Sequence, residues 1–192
     1  GDTWSSANQG IDSRYLGTLF MHPTDPQTLL AGAGHLSYPE GAGIYLTTDG
    51  AETWARVYGG VENEGFDSVE FALSDPNIAY AASAGGVWRS DDRGVTWRKQ
   101  SSDGPWGPPF IRVGFPIDLQ VDPRDPDRLF INAYGGGAFV STDAGRSWQI
   151  ASTGYTGAQV RGVAVDPANP GRVWATARSG LFVSHDGGAT WE

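Results

Sequence analysis

One eight-residue pattern, Ser/Thr-x-Asp-x-Gly-x-Thr/Ser-Trp, is repeated along the chain and constrains its fold more than any other feature. Four copies occupy residues 47–54, 90–97, 141–148 and 184–191, and a shortened copy, Gly1-Asp2-Thr3-Trp4, precedes them. The tryptophans that close these copies are spaced by 50, 43, 51 and 43 residues. A period of roughly 40–50 residues is typical of a propeller blade or a helical solenoid.

The segments between the copies are predicted to be strands, because none keeps an apolar i, i+3, i+4, i+7 face over three helical turns. In the last repeat, 160–165, 172–177 and 181–184 suit three strands, and Thr190-Trp191 begins a fourth. Four antiparallel strands per repeat predict an all-β fold, a β-propeller of four-stranded blades. We place the repeats at about 5–54, 55–97, 98–148 and 149–191, with 1–4 as the end of a preceding copy.

An Asp-Pro or Asn-Pro turn follows the first strand of each repeat, as in Asp75-Pro76 and Asn169-Pro170. An apolar or aromatic column comes after this turn, filled by Leu30, Tyr80, Phe130 and Trp174. We expect that column to pack between neighbouring blades.

The repeated pattern also predicts its own local structure. Its Asp and Ser/Thr side chains can bond nearby backbone N–H groups and hold a tight turn. Its fifth residue is Gly in three complete copies, which suits a positive φ angle. Ala51 takes that place in the first copy, so this copy is expected to be the most distorted.

The pattern resembles the Asp-box, or BNR, repeat of sialidases, sortilin-type receptors, xyloglucan-active glycoside hydrolases and a photosystem II assembly factor. In that family the box lies at the turn between strands three and four, away from the ligand face. The resemblance therefore implies a structural role, with no part in catalysis, for the box residues Asp49, Trp54, Asp92, Trp97, Asp143, Trp148, Asp186 and Trp191.

The amino-acid composition excludes or disfavours several classes of function. Thirteen Lys and Arg against 22 Asp and Glu give a net charge of −9, which disfavours nucleic acid as a partner. No apolar run is long enough to span a bilayer. Cysteine is absent, so disulfides and thiol chemistry are excluded. We expect no metal and no cofactor, and the resemblance favours an extracellular or periplasmic location.

Four blades are few for this family, and an open stack would leave exposed edges. Three explanations stay open: a segment of a larger propeller, a ring closed by several copies, or a true four-bladed ring. In a closed ring, Gly1 to Trp4 would complete the final blade beside Trp191.

Candidate ligand residues lie in the loops that decorate the blades, since such loops vary while the blade stays constant. The stretch 101–112 combines Pro and Gly with aromatic side chains, which stack on sugar rings or apolar partners when exposed. Each of these loops is also explained as a solvated or self-covering loop. The candidates for ligand binding are Trp106, Phe110, Arg112, His35, Tyr38, Tyr134, Tyr155 and Arg161.

Aligning the repeats places Asp67 and Arg161 at one level of the first strands and Asp118 at the next. First strands line the channel of a propeller, so these charges are expected near its mouth. Asp67 and Asp118 are weak candidates for the acid/base pair of a glycosidase. A channel lined by solvated charges also explains them, without any catalytic role.

A sialidase is rejected, because the Arg-Ile-Pro motif that the resemblance implies is missing. In the xyloglucan-active hydrolases that this chain resembles, two large propellers face a cleft and each supplies one catalytic Asp. This chain is too short to form both propellers. The sequence therefore favours a propeller that acts as a binding or scaffolding module for a protein or glycan partner, within a larger chain or assembly. The alternative is a xyloglucanase-like glycoside hydrolase acting on a plant or microbial polysaccharide.

Overall fold

The structure is a computed structural model that describes residues 3–35, 38–101, 115–134, 137–151, 153, 160–177 and 180–192. The described residues form antiparallel strands in four sheets, which we call blades 1 to 4. Blade 1 contains β1 (Leu16–Met21), β2 (Leu29–His35), β3 (Tyr38–Thr47) and β4 (Ala55–Arg56). Blade 2 contains β5 (Phe66–Phe71), β6 (Ala79–Ser83), β7 (Gly86–Ser90) and β8 (Arg98–Ser101).

Blade 3 contains β9 (Phe115–Val121), β10 (Leu129–Tyr134), β11 (Ala138–Ser141) and β12 (Gln149–Ile150). Blade 4 contains β13 (Val160–Val165), β14 (Val173–Ala177) and β15 (Gly180–Ser184). Glu192 exchanges two backbone hydrogen bonds with Val183, so the chain after the last box runs along β15 as a fourth strand would. The all-β blade prediction is thus confirmed.

Neighbouring strands in each blade follow the order of the sequence, which makes every blade a simple meander. The first strands contact each other from blade to blade, β1 with β5, β5 with β9 and β9 with β13. They are therefore the innermost strands, as a propeller requires. Asp-Pro turns and Asp boxes meet at one end of each blade, where Arg93 N–H bonds Asn77 O and Ala144 N–H bonds Asp127 O. The blade-linking segments and the β2–β3 type hairpins lie at the opposite end, which we call the loop face.

Apolar side chains fill the seams between blades. Leu30 packs with Phe66 and Phe71 between blades 1 and 2, and Tyr80 packs with Leu119 and Leu129 between blades 2 and 3. Phe130 packs with Val163 and Trp191 between blades 3 and 4. The column predicted to pack between blades is confirmed at these three seams.

The side of blade 1 that faces away from blade 2 stays partly open. Leu19 and Met21 of β1 point to that side and are 60% and 54% exposed. Such an apolar inner strand fits a propeller that continues with a further blade, because neighbouring blades bury this position elsewhere.

Residues 3–9 run beside blade 1. Trp54 donates from its backbone N–H to Gln9 O and from Nε1 to Ala7 O. Trp191 repeats these bonds to Thr153 O and Ala151 O. Trp4 itself is 92% exposed, so the described residues do not show the expected closure of the last blade beside Trp191.

Candidate functional site

Each Asp box is a closed network of hydrogen bonds, and the second box shows it. The Ser90 hydroxyl donates to Asp92 Oδ1 at 2.8 Å and accepts the Gly94 N–H at 2.8 Å. Asp92 Oδ1 also accepts the Thr96 N–H at 2.8 Å, and Oδ2 accepts the Thr96 hydroxyl at 2.5 Å. The carboxylate is therefore satisfied from within its own turn.

The same bonds recur in the other three boxes. Asp49 accepts from Thr47 and Thr53, Asp143 from Ser141 and Ser147, and Asp186 from Ser184 and Thr190. Hydrogen bonds from Thr53 and from Thr190 lower the pKa of Asp49 and of Asp186 to about 2. An ionised, fully engaged carboxylate at the end away from the loop face suits a structural role.

The first box is not distorted, so that expectation is wrong. Each turn carries two successive residues with positive φ, and Gly50 and Ala51 adopt 73° and 72° where Arg93 and Gly94 adopt 63° and 86°. The Ala51 N–H still reaches the Thr47 hydroxyl at 3.1 Å. The hydrogen-bond network holds the left-handed conformation even without glycine, at the cost of backbone strain.

Several predicted ligand residues cannot be placed by the structure. Trp106, Phe110, Arg112 and Tyr155 lie outside the described residues. His35 and Tyr38 are Cα partners across the β2–β3 hairpin at the loop face, and their side chains lie outside the described part of the structure. Tyr134 ends β10 and Arg161 lies in β13, and the side chains of both lie outside the described part of the structure. Their ligand roles stay predictions.

The two acid/base candidates lie on neighbouring inner strands but at different seams. The Asp67 carboxylate of β5 approaches blade 1, where Oδ1 lies 3.5 Å from the position of a Cβ built on Gly17. The Asp118 carboxylate of β9 points to blade 4 and accepts the Val163 N–H through Oδ2 at 3.3 Å. Both residues are near the start of their strands and hence near the loop face, but their carboxylates do not converge on one point.

Asp118 has the chemistry expected of a proton donor. Burial raises its pKa to about 6, and the N–H groups of Val163 and Leu119 offset only part of that effect. A carboxyl with such a pKa exchanges its proton close to neutral pH, which is where a general acid works best. The residue as a whole is half-buried.

The sequence analysis missed two polar residues close to Asp118. Glu70 of β5 is 5% exposed and accepts the Val121 N–H at 3.2 Å. Burial raises its pKa well above the usual range, and the negative charge of Asp118 adds to this rise. Asn132 of β10 lies directly opposite Asp118 and is fully buried. Extending the alignment of the repeats along their strands would have found both residues. Glu70 occupies the strand position that Phe20 has in blade 1, and Asn132 occupies the position that Ala82 has in blade 2.

The described part of the chain contains no group of three or more His, Asp or Glu side chains arranged to hold a metal ion. Within the same residues, no helix is long and apolar enough to cross a membrane.

Comparison with known proteins supports the class of protein that the fold defines. The family model described as "BNR/Asp-box repeat" matches residues 182–192, which include the whole fourth box. With the four blades and their boxes, this confirms the resemblance: the chain is an array of Asp-box repeats with the fold of a β-propeller.

The chain is similar to a xyloglucanase from Paenibacillus sp., with 28% identity over 204 residues that cover 99% of this chain and 16% of that protein. It spans about a sixth of the length of the curated relatives it matches, 16–17% in each.

Two solved structures share the fold. The GH74 enzyme of Niastella koreensis is 20% identical with a TM-score of 0.69, over 91% of this chain and 28% of that one. A structure of YCF48 bound to D1 peptide is 17% identical with a TM-score of 0.64, over 96% of this chain and 56% of that one.

Proposed function

We propose that this chain forms one wall of the glycan site in a xyloglucanase-like glycoside hydrolase, with Asp118 as the reacting carboxyl. The observation that carries the proposal is the position of Asp118, an inner-strand carboxyl near the loop face with a pKa of about 6. The similarity to a xyloglucanase over nearly the whole chain supports xyloglucan as the substrate in this proposal. For that reason we prefer the hydrolase to the binding module that the sequence alone favours.

Asp118 would act as the general acid that protonates the oxygen of the leaving sugar. Glycoside hydrolysis needs a second carboxylate, at roughly 6.5–9.5 Å in an inverting enzyme and roughly 5–5.5 Å in a retaining one. Asp67 and Glu70 face other seams and do not supply it. The resemblance implies one catalytic Asp from each of two propellers, so the second carboxylate is expected from a part of the protein beyond this chain.

The test is hydrolysis of xyloglucan and of unbranched β-glucans by the protein in its full natural length. We expect release of reducing ends from xyloglucan and a loss of at least about 10²-fold in kcat for Asp118→Asn, the range of general acid catalysis. Asp143→Asn is the control, since it removes a carboxylate of the same blade that lies in a box at the end away from the loop face. Equal losses in both variants, or no hydrolysis by the unaltered protein, would contradict the proposal.

A binding or scaffolding role in an exported protein is the second candidate. It is supported by the structural similarity to YCF48, which was solved with a bound D1 peptide. In this case the loop around Trp106 would contact a protein or glycan partner. Binding of xyloglucan oligosaccharides without turnover, weakened by Trp106→Ala and unchanged by Asp118→Asn, would favour this candidate over the hydrolase.

A further inference from the structure

Asn132 is a buried amide without a hydrogen-bond partner. Its side chain is 0% exposed, and neither Oδ1 nor Nδ2 forms a hydrogen bond. Burying an amide in this way costs about 1–3 kcal/mol, so such groups are rare unless they serve a purpose. Aliphatic side chains would fill the same space without that cost.

The amide lies beside the Asp118 carboxyl. Asn132 and Asp118 are Cα partners across the antiparallel β9–β10 pair. Directly opposed residues in such a pair project from the same face of the sheet, with Cβ atoms about 4.5–5.5 Å apart. Since Asp118 points to blade 4, Asn132 points into the same seam.

The other blades lack this combination. The equivalent pairs are Thr18 with Gly32, Ser68 with Ala82, and Gly162 with Thr176. In blade 2 the Ser68 hydroxyl is satisfied by the Leu119 backbone, from which it accepts an N–H at 3.0 Å. An amide opposite a carboxyl is therefore not a requirement of the blade.

We propose that Asn132 is a positioning residue for Asp118, placed across the strand pair so that its free amide can hold the carboxyl both before and after proton transfer. The proposal rests on the proposed function, in which Asp118 is the general acid. An amide suits this task because its oxygen accepts from a protonated carboxyl and its nitrogen donates to an ionised one. A small rotation of either side chain makes the bond that each protonation state needs.

The bond to the ionised carboxylate is the stronger of the two, because hydrogen bonds to charged groups exceed those to neutral ones. In that bonded arrangement Asn132 would lower the pKa of Asp118, adding to the effect of the N–H groups of Val163 and Leu119. Loss of the amide is expected to weaken the acid by roughly three- to tenfold in its dissociation constant.

Other titratable residues belong to the strands packed against β9. β5 contributes Asp67 and Glu70, β6 contributes Tyr80, β10 contributes Tyr134, and β13 contributes Arg161. Arg89 donates to the Tyr80 hydroxyl and so lies behind that residue. None of these groups is altered by a change at Asn132, so the effect of the amide can be measured separately.

The experiment is a ¹³C NMR titration of the Asp118 carboxyl in the full-length protein, with the signal assigned by its loss in Asp118→Asn. Asn132→Leu keeps the branching and number of side-chain heavy atoms and removes both polar atoms, and its Asp118 midpoint should rise by about 0.5–1 pH unit. Asn132→Ser keeps a donor and an acceptor and should restore most of the shift. Thr176→Val, at the same strand position in blade 4, should leave the midpoint unchanged.

An unchanged midpoint in Asn132→Leu, or the same rise in Asn132→Ser and Thr176→Val, would overturn the positioning role. If Asn132→Leu does not fold, the comparison of Asn132→Ser with the unaltered protein decides, and a rise as large as 1 pH unit in Asn132→Ser counts against the proposal. The titration needs no substrate. Its failure is therefore distinct from failure of the proposed function, which the xyloglucan assay reports.

Discussion

Replacing Asp118 by asparagine is expected to stabilise the protein at pH 8 and to change its stability little at pH 3.5. The pKa of Asp118 is raised from 3.8 to about 6 in the folded protein, mainly by burial. Below pH 3.8, the pKa of this carboxyl in the unfolded chain, both the folded and the unfolded protein hold the proton, and the carboxyl stabilises neither state relative to the other. As the pH rises from 3.8 to about 6, the unfolded chain releases its proton first, so the free energy of unfolding falls.

The size of this effect follows from the shift. A difference of about 2.2 pH units corresponds to roughly 3 kcal/mol at 1.36 kcal/mol per unit. Asp118 keeps some exposure to solvent, which reduces the figure, so we expect about 1.5–3 kcal/mol. The asparagine side chain has the shape of the protonated acid and never ionises, so this penalty disappears in the variant.

Urea unfolding at pH 3.5, 5 and 8 measures the difference. The unfolding free energy of Asp118→Asn should exceed that of the unaltered protein at pH 8, by less at pH 5, and by almost nothing at pH 3.5. Glu52→Gln, which removes an exposed carboxylate, is the control and should match the unaltered protein throughout. Equal stabilisation at pH 3.5 and pH 8, or a loss of stability at pH 8, would refute the reasoning.

Three further predictions concern the boxes. Asp92→Ala removes three hydrogen bonds to Ser90 and Thr96 and should cost roughly 2 kcal/mol, seen as a lower Tm; an unchanged Tm would mean that the box is not structural. Gly94→Ala should destabilise by about 1–3 kcal/mol, because φ is +86° and the new Cβ would lie 2.7 Å from the buried Leu30 Cδ2; chemical unfolding tests it, and a stability gain would contradict it. The lowered pKa of Asp186 predicts stability that is complete above pH 3.8 and lost as the pH falls towards 2. Circular dichroism should show that loss, and Asp186→Asn should reduce the steepness of the acid transition.

The architecture could be predicted from the sequence because every copy of the box contains the residues that form its turn. Each copy carries the hydroxyl and the carboxylate that close its turn, so the bonds of Asp92 could be anticipated from one copy and applied to the rest. The apolar column of Leu30, Tyr80 and Phe130 was visible for the same reason. Ala51 shows the limit: four hydrogen bonds outweigh the preference of one residue, and no propensity rule expresses that balance.

The candidate site was harder to predict because it depends on how blades face each other. Alignment placed Asp118 at the correct level of its strand, but the pKa near 6 results from burial against blade 4, which the sequence does not display. Glu70 and Asn132 were not predicted, because a single polar residue within an apolar strand does not form a recognisable motif. Their importance depends on a neighbour about 50 residues away for Glu70 and on the partner strand for Asn132.

The most direct test of the central claim is the pH dependence of kcat/KM for xyloglucan in the full-length protein. A general acid must be protonated in the free enzyme, so the account predicts activity that falls above about pH 6, with a midpoint equal to that of the Asp118 carboxyl measured by NMR. Activity that persists undiminished to pH 8, or a midpoint that differs from the Asp118 titration, would contradict the assignment of Asp118 as the reacting group.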